Sequence, residues 1–197
     1  MSGGMEERNE GSVFPWFALR VRTNFERIVS TQLVGRGIEE FSPSYRVERQ
    51  WSDRKQLLDK ALFPGYVFCR LNPENRMPAI SVPGVMDIVK IGRNPAEIPE
   101  EEILRVRRLV NSGLAAIPWP FLSVGDTVVI ERGPLEGLEG ILLREKSKCR
   151  LVVSIGLLQR SVSAEIDRNW VRPVQPRTSQ SDDMLQTSES SIHRRAS

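Results

Sequence analysis

The sequence predicts an α+β protein in two units. An amino-terminal antiparallel sheet flanked by helices spans residues 14–112, and after a linker at 113–121 a small five-stranded closed β-barrel spans 122–175. Three observations predict this. Residues 16–22 alternate apolar and polar side chains and run directly into a helical period. Residues 60–71 carry a Phe63-Pro64-Gly65-Tyr66 turn between two strand-like runs. Beyond residue 121 the texture changes to five short apolar runs, separated by turn signals at near-regular spacing.

In the first strand Phe17, Leu19 and Val21 face one way and Trp16, Ala18, Arg20 and Arg22 the other. Thr23 and Glu26 form a Thr-x-x-Glu capping pattern. Phe25, Ile28, Val29 and Leu33 follow on one helical face, with Gly35 and Gly37 placed to stop the helix. Residues 45–51 and 55–62 pair across Ser52-Asp53-Arg54 as a projecting hairpin. After the turn at 63–66, Val67, Cys69 and Leu71 share one face while Tyr66, Phe68 and Arg70 share the other. Residues 72–83 are too interrupted by proline for a long helix, and 85–91 read as a short strand with Ile88 near its middle. Pro99, expected as a first helical residue, precedes Glu100, Glu101 and Glu102. Arg105, Arg107 and Arg108 close that helix, an order its dipole favours, and Ile103, Val106, Leu109 and Val110 give it a buried stripe. Those arginines are read as dipole complement and solvation.

Residues 111–121 hold Gly113, Pro118 and Pro120 with no period, which reads as a linker. The runs 128–130, 140–143, 151–155, 159–164 and 170–174 are the expected barrel strands. The tails, 1–13 and 176–197, are polar and aperiodic and are expected to be disordered.

The charge is balanced, 28 Lys plus Arg against 25 Asp plus Glu, so any basic surface must be local. Two cysteines, Cys69 and Cys149, make neither a disulfide framework nor a thiolate metal site. No segment approaches the roughly 18 apolar residues of a membrane span, and a cytoplasmic location is expected. Enzyme chemistry fares poorly. The single histidine, His193, lies in the polar tail, neither cysteine has an activating neighbour in sequence, and no Gly-Lys-Ser/Thr phosphate loop occurs. No cofactor and no metal are expected.

What remains is surface. Trp16, Tyr66 and Phe68 fall on one face if the first strand and the strand after the turn are neighbours. They are either core beneath a second layer or a docking surface. Two helices and a short sheet cannot easily cover both faces, which favours exposure. With Phe63 and Ile88 the patch approaches the roughly 800 Å² per partner of a standard interface. A second, basic surface runs through Arg20, Arg22, Arg46, Arg49, Arg54, Lys55 and Lys60, interleaved with Glu48, Asp53 and Asp59. Such mixing offers at most a few salt-sensitive phosphate contacts.

With these residues in view the chain resembles the NusG family of transcription elongation factors, over about residues 16–174. The motifs are Leu62-Phe63-Pro64-Gly65-Tyr66-Val67-Phe68, then Ser81-Val82-Pro83-Gly84-Val85 with Ile88-Val89. Gly125-Asp126-Thr127-Val128 with Gly133-Pro134-Leu135-Glu136-Gly137 and Gly140 is similar to the KOW motif. The resemblance implies an NGN-like first domain and an SH3-like KOW barrel. Trp16, Phe17, Phe63, Tyr66, Phe68 and Ile88 would dock on the clamp helices of RNA polymerase, and Arg20 and Arg22 would lie near the non-template DNA strand. The factor would raise processivity and catalyse nothing; no feature of the sequence demands more than a monomer. Leu157, Leu158, Gln159 and Arg160 stand where the family's KOW domain meets Rho or a small-subunit ribosomal protein. Leu135 and Leu138 replace the phenylalanines of the general factor, and the loop at 155–161 departs from Ile-Phe-Gly-Arg. That loop is more similar to the specialised RfaH-like and UpxY-like antiterminators of polysaccharide operons. The competing reading is an RNA-binding or ribosome-associated KOW protein. The barrel could also switch to helices, as in one specialised relative, although Val128, Val129, Ile130, Val152 and Val153 favour strands.

Overall fold

Strand alternation at 16–21 places β1 (Trp16–Val21) at the centre of the first sheet, and every neighbour is antiparallel to it. The computed structural model describes residues 14–51, 54–121, 125–145 and 148–174. Both terminal tails and His193 lie outside the described residues. After β1 come α1 (Glu26–Gly35), β2 (Glu40–Phe41), and the hairpin of β3 (Ser44–Trp51) and β4 (Arg54–Ala61). Then follow β5 (Tyr66–Arg70), α2 (Met77–Ile80) and β6 (Val85–Ile88). A small hairpin of β7 (Lys90–Ile91) and β8 (Asn94–Pro95) precedes β9 (Glu97–Ile98) and α3 (Glu100–Asn111).

The first sheet runs β2-β5-β1-β6, with β9 also paired to β1. Opposite residues are Trp16 with Arg70, Ala18 with Phe68 and Arg20 with Tyr66 on β5, and Leu19 with Ile88 on β6. The period of two then sorts the core into two layers. Phe17, Leu19, Val21, Val67, Cys69 and Ile88 pack with Val29 and Leu33 of α1. Trp16, Ala18, Leu62, Phe63 and Phe68 join Ile103, Val106 and Leu109 of α3 on the other side.

Helix α1 ends as the glycines require. Gly37 has φ +73°, its N–H reaches the Val34 carbonyl at 2.9 Å, and the Ile38 N–H reaches that of Leu33 at 3.0 Å. This is the paired bonding of a Schellman end, which needs a left-handed residue. The helix start differs from expectation: Phe25 holds the N-cap with no side-chain cap. Pro99 likewise lies one residue earlier than expected, extended at the N-cap of α3 with ψ 132°.

The second unit comprises β10 (Ile117–Pro120), β11 (Asp126–Ile130), β12 (Glu139–Glu145), β13 (Lys148–Ile155), β14 (Arg160–Ile166) and β15 (Val171–Pro173), in sheet order β10-β14-β13-β12-β11-β15. The five expected strands are all present. Two expectations are corrected. Among the described residues no ladder joins β15 to β10, so the sheet is not a hydrogen-bonded closed barrel; the outer edge of β14 is occupied by β10. The stretch 113–121 is also not a featureless linker, because β10 lies within it, with Trp119 opposite Ser161. Pro118 and Pro120 cannot donate to a ladder, which an edge strand tolerates and a central strand does not. Among the described residues no helix is long and apolar enough to cross a membrane.

Candidate functional site

The site grows from the Phe63-Pro64-Gly65-Tyr66 turn that feeds β5. Gly65 has φ +83°, a conformation open to glycine at little cost. The Tyr66 N–H closes the turn on the Phe63 carbonyl at 3.0 Å, and the Gly65 carbonyl accepts from the Val21 N–H at 2.8 Å. The Gly65 N–H donates to the Glu26 carboxylate at 2.7 Å. The acidic residue expected to cap its own helix instead holds the turn. Phe63 meets Phe68 edge-on at 5.1 Å between ring centroids, and Phe41 stacks on Phe68 at 6.2 Å, arrangements aromatic quadrupoles favour.

Trp16 lies beside two guanidinium groups, Arg70 at 4.8 Å and Arg107 at 5.4 Å from its ring centroid. Arg70 also pairs with Glu39 at 3.0 Å and with Glu100, while Arg107 reaches Glu39 at 3.5 Å. Arg107 therefore does more than solvate α3: it covers the tryptophan face by cation–π attraction. Beneath this layer, burial first and the neighbouring Glu40 carboxylate second push the Cys69 thiol up to about 12. That thiol stays protonated and inert.

The second unit closes over the same face. The Gly156 N–H donates to Glu102 of α3 at 3.0 Å, Arg108 donates to the Glu136 carbonyl, and the Arg160 guanidinium lies 6.0 Å from the Tyr66 ring centroid. Leu157, Leu158 and Tyr66 pack against one apolar cluster that runs from Trp16 and Phe68 through α3 to Leu135, Leu138 and Ile155. Loss of water around Glu102 raises its carboxyl pKa, partly offset by the Gly156 hydrogen bond and by Arg105. Two surfaces expected to meet separate partners thus cover each other.

Exposure of the aromatic face is accordingly corrected. Trp16 and Phe63 are 1% exposed and Phe68 is 0% exposed, because α3 and the second unit supply the covering layer. Tyr66 is half-buried. Phe17 and Ile88 do not join this face; they point into the opposite layer beneath α1. Of the six residues expected in one cavity, Trp16, Phe63, Tyr66 and Phe68 are brought together.

Arg20 and Arg22 are exposed. Arg20 stands opposite Asp87 of β6. The Lys90 hydrogen bond chiefly, with smaller help from the Ile88 N–H and from the Lys90 and Arg20 charges, lowers the Asp87 carboxyl pKa. On the hairpin Lys55 pairs with Glu48 at 2.8 Å and Arg46 with Asp59 at 3.8 Å, so much of its basic charge is locally offset. The loop at 156–158 is a 3-10 turn, ended by Gln159 at φ 51° and ψ 44°. The Gln159 side chain donates to the Gly156 carbonyl at 2.9 Å. Among the described residues no group of three or more His, Cys, Asp or Glu could hold a metal ion.

Glu26, Glu102 and Arg107 were not among the expected site residues. The Thr23-x-x-Glu26 motif was a signal for the first, although it named the wrong acceptor role. Glu102 and Arg107 carry no local signal, since their partners lie at Gly156 and Trp16.

The family model described as "Transcription termination factor nusG" matches residues 14–107. No curated protein matches the chain. Among solved structures, that described as "Domain interaction in Thermotoga maritima NusG" is 24% identical, over 82% of this chain and 97% of its own, with a TM-score of 0.45. An MjSpt4:Spt5 complex is 18% identical over 81% of this chain and 97% of its own, with a TM-score of 0.29. The matched span holds the whole first sheet, the Phe63-Pro64-Gly65-Tyr66 turn and most of α3, so over residues 14–107 this chain is similar to the NusG family.

Proposed function

We propose that the chain is a transcription elongation and antitermination factor that docks on the clamp helices of RNA polymerase and raises processivity on a restricted set of operons. The observation that carries this reading is the family match over 14–107, which spans the whole face formed by Trp16, Phe63, Tyr66 and Phe68. Docking adds binding energy to the polymerase conformation that presents its clamp helices, and shifts the population toward it. Phe17 and Ile88 support the face from the opposite layer instead of touching the partner. Arg20 and Arg22 would meet the non-template strand, a role that their exposure near the end of β1 supports.

The Gly156–Arg160 loop belongs to a second partner surface, for a small-subunit ribosomal protein or Rho. Since this loop lies over Tyr66 and α3, the units must part before either surface is used. A factor built this way is held off polymerase until something favours the parted form, which suits restricted use.

The test is retention of core RNA polymerase by the intact chain and by Tyr66→Ala. Retention by the first and loss by the second, with both folded, supports the reading. Equal retention, or RNA binding without polymerase binding, returns the chain to the RNA-binding or ribosome-associated class.

A further inference from the structure

We infer that Glu26 is the positioning residue of the docking turn, an inference that rests on the polymerase reading above. Among the described residues Glu26 is the one carboxylate or cationic side chain counted as buried, at 8% exposed. Burying a charge is costly unless it is hydrogen-bonded, so its place calls for a partner, and that partner is the Gly65 N–H at 2.7 Å. Gly65 is the left-handed residue of the turn. Its N–H and carbonyl are both fixed, the first by Glu26 and the second by Val21. Phe63 and Tyr66, on either side of Pro64-Gly65, inherit their placement from these two bonds.

The segment that leads into α1 holds the other family-like turn as well. The Arg22 N–H donates to the Gly84 carbonyl at 2.9 Å, and a Cβ at Gly84 would come within 2.7 Å of the Phe25 ring. Phe25 and Glu26, adjacent in sequence, thus set the Ser-Val-Pro-Gly turn by contact and the Phe-Pro-Gly-Tyr turn by a hydrogen bond. A Glu26 carboxylate accepting a backbone N–H is a charge-assisted bond, among the stronger kinds in proteins. No direct contact between Glu26 and polymerase is required; it acts through Gly65.

The experiment compares full-length wild type, Glu26→Ala and Glu26→Gln by amide exchange at Gly65 and by equilibrium binding to core RNA polymerase, after each is shown to unfold cooperatively. Glu26→Gln keeps an acceptor oxygen without the charge and is expected to fall between wild type and Glu26→Ala. Glu26→Ala is expected to speed Gly65 exchange and to weaken polymerase binding, each by about tenfold to a hundredfold, the span a hydrogen bond to a charged group covers. Wild-type affinity in Glu26→Ala would overturn the inference. So would an equal loss in both variants, which would mark the charge itself and not the acceptor. Should neither wild type nor its Leu157→Asp, Leu158→Asp variant, in which the units part, bind polymerase, the polymerase reading fails alone, and Gly65 exchange in the free chain decides for Glu26: faster in Glu26→Ala and at least partly restored in Glu26→Gln supports it, unchanged overturns it.

Discussion

Phe68 and Tyr66 stand two residues apart on one face of β5 and should respond to substitution in different ways. Phe68 is fully buried against Phe63 and Phe41, so Phe68→Ala leaves a cavity and is expected to cost about 3–5 kcal/mol in denaturant unfolding. Tyr66 is half-buried beside Arg160. Tyr66→Ala is expected to cost only about 1 kcal/mol while removing polymerase retention. Phe68→Ala is therefore a poor probe of docking, since loss of binding would follow from loss of fold. Glu102 adds a pH dependence. Burial raises its carboxyl pKa above the ordinary value of 4.5, and its hydrogen bond from Gly156 sets it at the contact between the units, so the closed arrangement is expected to bind its proton more readily than the parted one. Closure is then most favoured below 4.5 and weakens as pH rises through the raised value, where the half-buried carboxyl must ionise. Glu102→Gln is expected to flatten this dependence. A pH titration of the Gly156 amide shift would read it, and a wild-type curve without a step above 4.5 would contradict it.

At the scale of elements, β12 and β13 approach so closely that Gly140 has no room for a side chain. A Cβ there would lie 2.8 Å from both a Leu151 methyl and the Val152 carbonyl. Gly140→Ala is expected to destabilise the second unit by about 1–3 kcal/mol, measured as a lowered denaturation midpoint; an unchanged midpoint would show that the strands can move apart. Most elements were legible in the sequence because their signals are local. Alternation fixed β1 and β5, turn residues fixed the hairpin, and the acid-to-base order fixed α3. Alternation also placed Phe17 with Leu19 and Val21, which the structure bears out; grouping it with Trp16 came from family resemblance. The strand β10 escaped because Pro118 and Pro120 suppress every local strand signal, yet at an edge they are harmless. Closure of the second sheet was expected from strand count alone, which says nothing of which edges meet. Burial of Trp16 and Phe68 was illegible for a deeper reason: the layer that covers them comes from α3 and from residues around 155–160, far along the chain, and no period in β1 or β5 records it.

At the scale of the whole molecule, the two units are joined by one apolar cluster and by the Glu102–Gly156 and Arg108–Glu136 hydrogen bonds. The cluster hides the face proposed above for docking, so on that reading polymerase and the second unit compete for it. A competing contact lowers apparent affinity by the fraction of molecules that are parted. Weakening that contact without touching the face should therefore raise affinity. Leu157 and Leu158 offer the means, because they pack on the cluster, and a carboxylate there is hydrated when the units part and desolvated when they meet. The most direct measurement is equilibrium binding of core RNA polymerase to the full chain and to its Leu157→Asp, Leu158→Asp variant, with Tyr66→Ala added to each. The expected result is a gain of about tenfold or more in the double variant, a shift of about 1.4 kcal/mol, that Tyr66→Ala abolishes in both backgrounds. Equal affinity for wild type and the double variant, or a gain that survives Tyr66→Ala, would contradict a docking face covered by its own second unit.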